Sequence, residues 1–125
     1  MRFVIVILFW SLGLTCVAQA HELTPTYPKL EQSVYDSILT TTMVIFNRRA
    51  DVNYYQIEVW DADWNKVPFA SAEKIIKMNY LERKRLEIYF KDRDASRIKY
   101  ICTRSKLLKG GGQSVVASNI CSKVK

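Results

Sequence analysis

The segment YICTRSKLLKGGGQSVVASNIC (residues 100–121) predicts an antiparallel β-hairpin. Its first residues alternate between apolar and polar side chains, as a half-buried strand does. The three glycines at 110–112 are the strongest turn signal in the chain. Residues 114–121 then return as a second strand. The point midway between Cys102 and Cys121 falls inside the glycine run, so the two cysteines face each other across the hairpin.

The register of this hairpin makes the cysteine pair suitable for a disulfide. A loop over residues 110–113, closed by Lys109 opposite Ser114, places Cys102 and Cys121 at a non-hydrogen-bonded position of the ladder. Cα atoms lie closer together at such positions than at hydrogen-bonded ones. A two-residue Gly-Gly loop would give the opposite alternation, so we favour the longer loop.

The first 20 residues have the pattern of a secretory signal peptide. Arg2 gives a positive start, residues 3–14 are nearly all apolar, and residues 18–20 (AQA) fit the small-x-small rule for cleavage. The apolar run is shorter than the ~20 residues that a membrane span needs. We therefore predict cleavage after Ala20, which removes Cys16 and leaves no membrane-spanning segment. Export places the remaining cysteines in an oxidising compartment, where a disulfide is the default.

Upstream of the hairpin, alternation and β-branched residues predict further strands. Residues 37–46 (SILTTTMVIF) are rich in β-branched side chains. Residues 54–60 (YYQIEVW) predict a half-buried strand in which Tyr55, Ile57 and Val59 face one side.

Residues 70–85 allow two interpretations. A helix would carry Ile75, Met78 and Leu81 on one side, whereas a strand over residues 75–78 would be followed by a turn. The sequence leaves this choice open.

The pattern resumes with Leu86, Ile88 and Phe90, which alternate with polar neighbours as a strand does and precede a polar connection at 91–96. Many short strands with turn signals about every 8–12 residues are typical of an antiparallel β-sandwich. We therefore predict an all-β fold, with one domain over residues 21–125.

The charge of the chain is concentrated at its C-terminal end. The sequence has 19 Lys and Arg against 12 Asp and Glu, a net charge of +7. Residues 95–125 hold seven of these cations and no acidic residue. With 49% hydrophobic residues, the composition excludes a disordered chain.

The sequence offers little for catalysis or for a metal. His21 is the one histidine, so an N-terminal copper site would lack its second histidine. Two lone cysteines do not make a zinc site, which needs four ligands. Asp61 and Asp63 lie in a predicted turn, and neither a P-loop nor a GxGxxG motif is present. We expect no enzyme activity, no metal and no cofactor. We expect no nucleic-acid binding either, because only Tyr100 is available in the basic region for base stacking.

Seven short motifs follow one another in an order that is similar to a known family. They are MVIFN (43–47), YQIEVW (55–60), VPF (67–69), RLEI (85–88), DRDAS (92–96), YIC (100–102) and CSK (121–123). In this order they resemble the N-terminal domain of periplasmic pilus chaperones of the chaperone–usher type. The disulfide between the last two strands resembles the long-loop subfamily. The second domain of that family has no counterpart in this sequence.

The resemblance implies an immunoglobulin-like β-sandwich in the periplasm that assists pilus assembly. Such chaperones donate their last strand to a pilus subunit that lacks one. The donor positions implied here are Val116, Ser118 and Ile120. Lys123 matches the lysine that holds the terminal carboxylate of the subunit. The partners implied are a pilus or fimbrial subunit and, as a further candidate, an outer-membrane usher.

An alternative function is a stand-alone secreted binding module. It would recognise an anionic surface or partner through the basic hairpin, with Arg104, Lys106 and Lys109 as the contact residues. Strand donation should tolerate salt, whereas binding through these charges should weaken steeply as salt rises.

Overall fold

The computed structural model describes residues 20–106 and 117–125. The predicted signal peptide up to residue 19, and the predicted hairpin turn with Lys109, Ser114 and Val116, lie outside the described residues. The described elements are β1 (Glu22–Thr24), β2 (Glu31–Gln32), β3 (Ile38–Phe46), β4 (Tyr54–Trp60), β5 (Ile75–Lys77), β6 (Arg83–Lys91), a 3-10 helix (Asp92–Arg97), β7 (Tyr100–Ser105) and β8 (Asn119–Lys123).

These strands form two antiparallel sheets, as predicted. In sheet A, β3 pairs with β6 along one edge and with β1 and then β2 along the other. In sheet B the strand order is β5-β4-β7-β8. The fold is therefore an all-β sandwich, and the strands predicted from residues 37–46, 54–60 and 86–90 are present.

The core lies between the inner faces of the two sheets. Tyr55, Ile57 and Val59 of β4 are 0–2% exposed, so the predicted alternation of this strand is confirmed. Sheet A contributes a matching buried row of large apolar side chains on β3 and β6. These are Met43, Ile45, Leu86, Ile88 and Phe90. Burial of such rows on facing sheets supplies most of the stabilising free energy of a sandwich.

Residues 70–85 form a strand and a turn, so the helical alternative was wrong. Ile76 and Met78 are fully buried, while Ile75 is 52% exposed and Leu81 is 56% exposed. The period of burial is therefore two, the period of a strand. The helical pattern was coincidental: the apolar residues that it aligned, Ile75 and Leu81, do not share the core with Met78.

The predicted register of the hairpin strands is confirmed. Cys102 lies opposite Cys121, and the two form a disulfide with Cα atoms 4.0 Å apart. The Ser105 amide donates to the Ser118 carbonyl at 2.9 Å. Because hydrogen-bonded and non-hydrogen-bonded pairs alternate, three steps along the ladder the cysteines occupy a non-hydrogen-bonded pair.

The N-terminal segment crosses from one sheet to the other. β1 pairs with β3 in sheet A, and a cis peptide bond between Thr24 and Pro25 follows it. The chain then runs beside β8, where the amide of Lys123 donates to the carbonyl of Thr26 at 3.0 Å. The outer edge of β8 is therefore covered at its C-terminal end.

A second crossing closes the opposite side of the sandwich. Lys66 forms a bridge with Trp60 in sheet B, and Ala70 forms a bridge with Tyr89 in sheet A. The segment between them spans the gap between the sheets, and Val67 within it is 2% exposed. Among the described residues there is no helix with the length and apolar character that a membrane crossing requires.

Replacing both Cys102 and Cys121 with serine should lower the free energy of unfolding by about 3 kcal/mol. The cysteines are 19 residues apart, and their crosslink restricts the unfolded chain more than the folded one. Urea denaturation of the wild type and the double variant measures the difference. A reductant should bring the wild type to the stability of the variant and leave the variant unchanged. Equal denaturation midpoints without reductant would contradict the prediction.

Candidate functional site

The outer edge of β8 is the candidate site, and the ladder with β7 determines which backbone groups it presents. Because Cys102 and Cys121 form a non-hydrogen-bonded pair, the amide and carbonyl of Cys121 point away from β7. The same holds for Asn119, two residues earlier, and for Lys123, two residues later. Thr26 takes the amide of Lys123. Within the described ranges, the outward backbone groups of Asn119 and Cys121 make no backbone hydrogen bond, although β1 lies beside this part of the strand.

The side chains of β8 divide between the core and the outer face of sheet B. Ile120 is partly buried and packs against the hydrophobic core, and Ser122 is 1% exposed. Asn119, Cys121 and Lys123 are exposed on the opposite face. What this edge offers to a partner strand in the described part of the chain is mainly its backbone.

Among the predicted donor residues, Ser118 and Ile120 are described and Val116 is not. The Ser118 hydroxyl lies 2.9 Å from Nδ1 of His21, and its amide donates to the hydroxyl of Ser105 at 2.8 Å. Both described side chains are thus engaged inside this molecule. Their role as donor residues stays a prediction.

Lys123, the predicted carboxylate anchor, stands exposed at the end of the outer edge. It lies opposite Tyr100 in the ladder. In the described ranges no carboxylate oxygen comes within 4 Å of its ammonium group. The neighbouring end of the chain carries a further exposed cation, Lys125.

The cations predicted for the alternative binding module are placed differently. The Arg104 guanidinium lies 3.6 Å from the carboxylate of Glu58, so part of its charge is balanced. Lys106 is partly exposed at the end of β7, and its amide donates to the Tyr54 carbonyl. Lys109 lies outside the described residues.

His21 ties the N-terminal segment to the candidate edge, a contact that sequence reasoning missed. Its side chain is 2% exposed. Nε2 lies 2.7 Å from the Thr103 hydroxyl and 3.0 Å from the Thr103 carbonyl, while Nδ1 bonds Ser118. The ring packs 4.5 Å from the ring of Tyr55. Hydropathy patterns carry no signal for the burial of this histidine, because its partners come from distant strands.

The surroundings of His21 favour its neutral form. Burial lowers the pKa of His21 to about 4, and the positive charge of Arg49 acts in the same direction. The Thr103 backbone hydrogen bond opposes this effect. Burial likewise raises the pKa of Tyr55 to about 12. Both side chains are therefore uncharged at neutral pH.

Asn47 satisfies the polar groups next to this cluster. Its amide nitrogen donates to the carbonyls of Val52 and Asn79, and its carbonyl accepts from the Tyr55 hydroxyl and the Arg49 amide. All four hydrogen-bonding positions of this fully buried side chain are used, so the cluster is a fully satisfied hydrogen-bond network with a structural role.

The pairing of His21 with Ser118 does not make a catalytic triad. The second ring nitrogen contacts Thr103, which is uncharged, so no carboxylate stabilises a protonated imidazole. In the described part of the chain, no group of three or more His, Cys, Asp or Glu side chains is placed to hold a metal ion.

An aromatic cluster adjoins Lys123 on the outer face of sheet B. The ring of Trp64 stacks on Tyr100 with centroids 4.6 Å apart, and Trp60 lies 6.3 Å from Trp64. Trp64 has φ 61°, and its turn is held by the Asp61 carboxylate, which accepts from two backbone amides at 2.9 Å. The sequence predicted this turn but not the stacking that it produces.

No family model and no curated protein matches this sequence. The fold is similar to the crystal structure of the periplasmic chaperone SfaE, with a TM-score of 0.54 and 11% sequence identity. The match covers 85% of this chain and 56% of that chain, so this chain spans little more than half the length of SfaE. The predicted fold, a β-sandwich similar to an immunoglobulin-like chaperone domain, is confirmed.

Lowering the pH from about 6.5 to 4 should destabilise the protein through His21. The pKa of His21 is about 4 in the folded state and 6.5 when unfolded, so the unfolded chain binds the extra proton in this window. Stability from this group is present above pH 6.5 and is lost as pH falls, by about 3 kcal/mol at most. Urea denaturation between pH 4 and 7 measures it.

The matched control is His21→Gln, which keeps every carboxylate and removes only the imidazole. Its unfolding free energy should depend less on pH in this window. Parallel pH profiles for the two proteins would contradict the assignment.

Proposed function

We propose that this protein is a periplasmic, chaperone-like protein that assists pilus subunits by donating the edge strand β8 to them. The observation that carries the proposal is the outward-pointing backbone of Asn119 and Cys121 on an edge strand whose other side is crosslinked to the sandwich. The similarity in fold to a periplasmic chaperone supports it.

Strand donation needs an edge that stays in place while a second chain pairs with it. Unpaired amides and carbonyls on an edge strand bind an added strand through main-chain hydrogen bonds. The disulfide joins Cys121 to Cys102, so β8 cannot be drawn away from β7 at this point. Ile120 anchors the same strand through the core.

The covered end of the edge limits where a subunit would bind. Lys123 and Lys125 donate their amides to the carbonyls of Thr26 and Pro28, both at 3.0 Å. A partner strand would therefore begin its pairing at Cys121 and continue toward the N-terminal end of β8. The exposed ammonium of Lys123 would lie at the limit of that strand, where it would bind a terminal carboxylate through charge-assisted hydrogen bonds.

The remaining parts of the proposal follow from the same role. The predicted signal peptide would export the chain to the periplasm, where the disulfide forms. The client would be a pilus or fimbrial subunit with an incomplete sheet. An outer-membrane usher is the expected acceptor of the complex.

Asn119→Pro should abolish subunit binding without unfolding the protein. The Asn119 amide points away from β7, so a proline there removes a bond to the partner and none of the internal ladder. The matched control is Asn119→Ala, which keeps the amide. Both variants are isolated from the native envelope at high salt and weighed by mass spectrometry together with whatever they hold.

We expect the wild type and Asn119→Ala to carry a stoichiometric, β-rich subunit, and Asn119→Pro to carry less than about a tenth as much. Lys123→Glu should also lose the subunit, whereas Lys125→Glu should keep it. Equal amounts of bound subunit with Asn119→Pro and Asn119→Ala would refute strand donation. Partners that leave as salt rises would instead favour the binding module with an anionic partner.

A further inference from the structure

A cavity lies at the edge of sheet B opposite β8, along the outer edge of β4. β5 pairs with β4 over Tyr54–Gln56, and the Ile57 amide then donates to the Lys74 carbonyl at 2.9 Å. The next contacts on this edge are the bond from the Val67 amide to the Val59 carbonyl and the bridge between Trp60 and Lys66. Between these points, the edge of β4 opens into a cavity of about 350 Å³. Pockets for small ligands begin at about this size.

The cavity has a buried carboxylate in its wall. Glu58 is 8% exposed and is one of the lining residues. Its Oε2 atom is buried and has no hydrogen-bond partner. The Arg104 guanidinium is 3.6 Å from this oxygen, which is too far for a hydrogen bond. Since this ion pair is long, the Glu58 carboxylate keeps negative charge that a cationic group in the cavity would help to neutralise.

Two lysines line the same cavity, and aromatic rings hold both of them. The Lys66 ammonium lies 5.9 Å from the centre of the Trp60 ring, and the Lys74 ammonium lies 5.1 Å from that of Phe69. Within the described ranges, neither ammonium has a carboxylate oxygen within 4 Å. The wall of the cavity thus combines a largely buried carboxylate with two cations that have no acidic partner among the described residues.

The backbone of β4 adds a donor to this wall. The Val59 carbonyl accepts from the Val67 amide at 3.0 Å, so Val59 directs its backbone groups toward the cavity edge. In a strand, the amide and the carbonyl of one residue point the same way. The Val59 amide therefore faces the opening between β5 and the bridge at Lys66.

We propose that this cavity binds a small zwitterion that carries a primary ammonium and a carboxylate, the chemistry of a free amino acid or a short peptide. The ammonium pairs with the Glu58 carboxylate, and the carboxylate of the ligand lies among the two lysines and the Val59 amide. The cavity volume of about 350 Å³ is sufficient for one or two amino-acid residues. This site is separate from the β8 edge and does not depend on strand donation.

The test is a titration of the isotope-labelled protein with glycylglycine, followed by the NMR shifts of the backbone amides. We expect saturable shifts at Ile57, Val59 and Val67 with a Kd of about 1 mM or tighter. Acetate alone and methylammonium alone should each bind at least about tenfold more weakly, because each satisfies only one half of the site. A parallel titration with glycine shows whether one residue suffices or a dipeptide is needed.

Glu58→Gln keeps the shape of the side chain and removes its charge, and it should weaken glycylglycine binding by about tenfold. Lys74→Met tests the anionic half independently and should weaken binding as well. The matched control is Glu87→Gln on the outer face of sheet A, which should bind like the wild type. Thermal unfolding verifies that each variant is folded.

Three outcomes would overturn the proposal: no saturable shifts, equal binding by Glu58→Gln and the wild type, or shifts with acetate as large as those with glycylglycine. The last result would mean a simple anion site at the lysines. None of them would affect the Asn119→Pro result, so the two proposals fail or succeed separately.

Discussion

The crosslinked pairing of β7 with β8 is the constraint on which the rest of the site depends. β7 lies in the middle of sheet B, and Ile101 on its inner face is fully buried. The disulfide at Cys102 therefore fixes the register of a short C-terminal strand of only five residues to a strand that is itself fixed by the core. Because the register is fixed, the direction of every backbone group on the outer edge is fixed too.

Both open sides of the sandwich are closed by segments that leave one sheet and join the other. After Pro25 the chain covers the C-terminal end of β8, and residues 66–70 join β4 to β6. Each crossing is short, so each leaves part of an edge strand uncovered. Uncovered edges bind other chains or small molecules readily, since their amides and carbonyls lack partners. The two proposed sites, at Asn119 and beside Val59, lie along these two edges.

Among the residues that the structure describes, the buried side-chain polar atoms are hydrogen-bonded with one exception. Asn47 uses its full bonding capacity, and His21 binds through both ring nitrogens. Glu58 differs, because one of its buried oxygens has no hydrogen bond. A buried acceptor without a donor destabilises a fold, and real proteins keep such groups mostly at functional or strained sites. This difference in hydrogen bonding distinguishes the cavity beside Glu58 from the satisfied network around His21.

The sequence by itself determined the features that depend on neighbours along the chain. Alternation placed Tyr55, Ile57 and Val59 in the core, and the symmetry of the cysteines about the glycine run predicted the register of β7 with β8. The tertiary structure decided what distant segments bring together. It chose the strand over the helix at 75–78, because only the fully buried Ile76 and Met78 reach the core. It also buried His21 and Glu58, for which no local pattern indicates burial, since burial there comes from segments far away in the sequence.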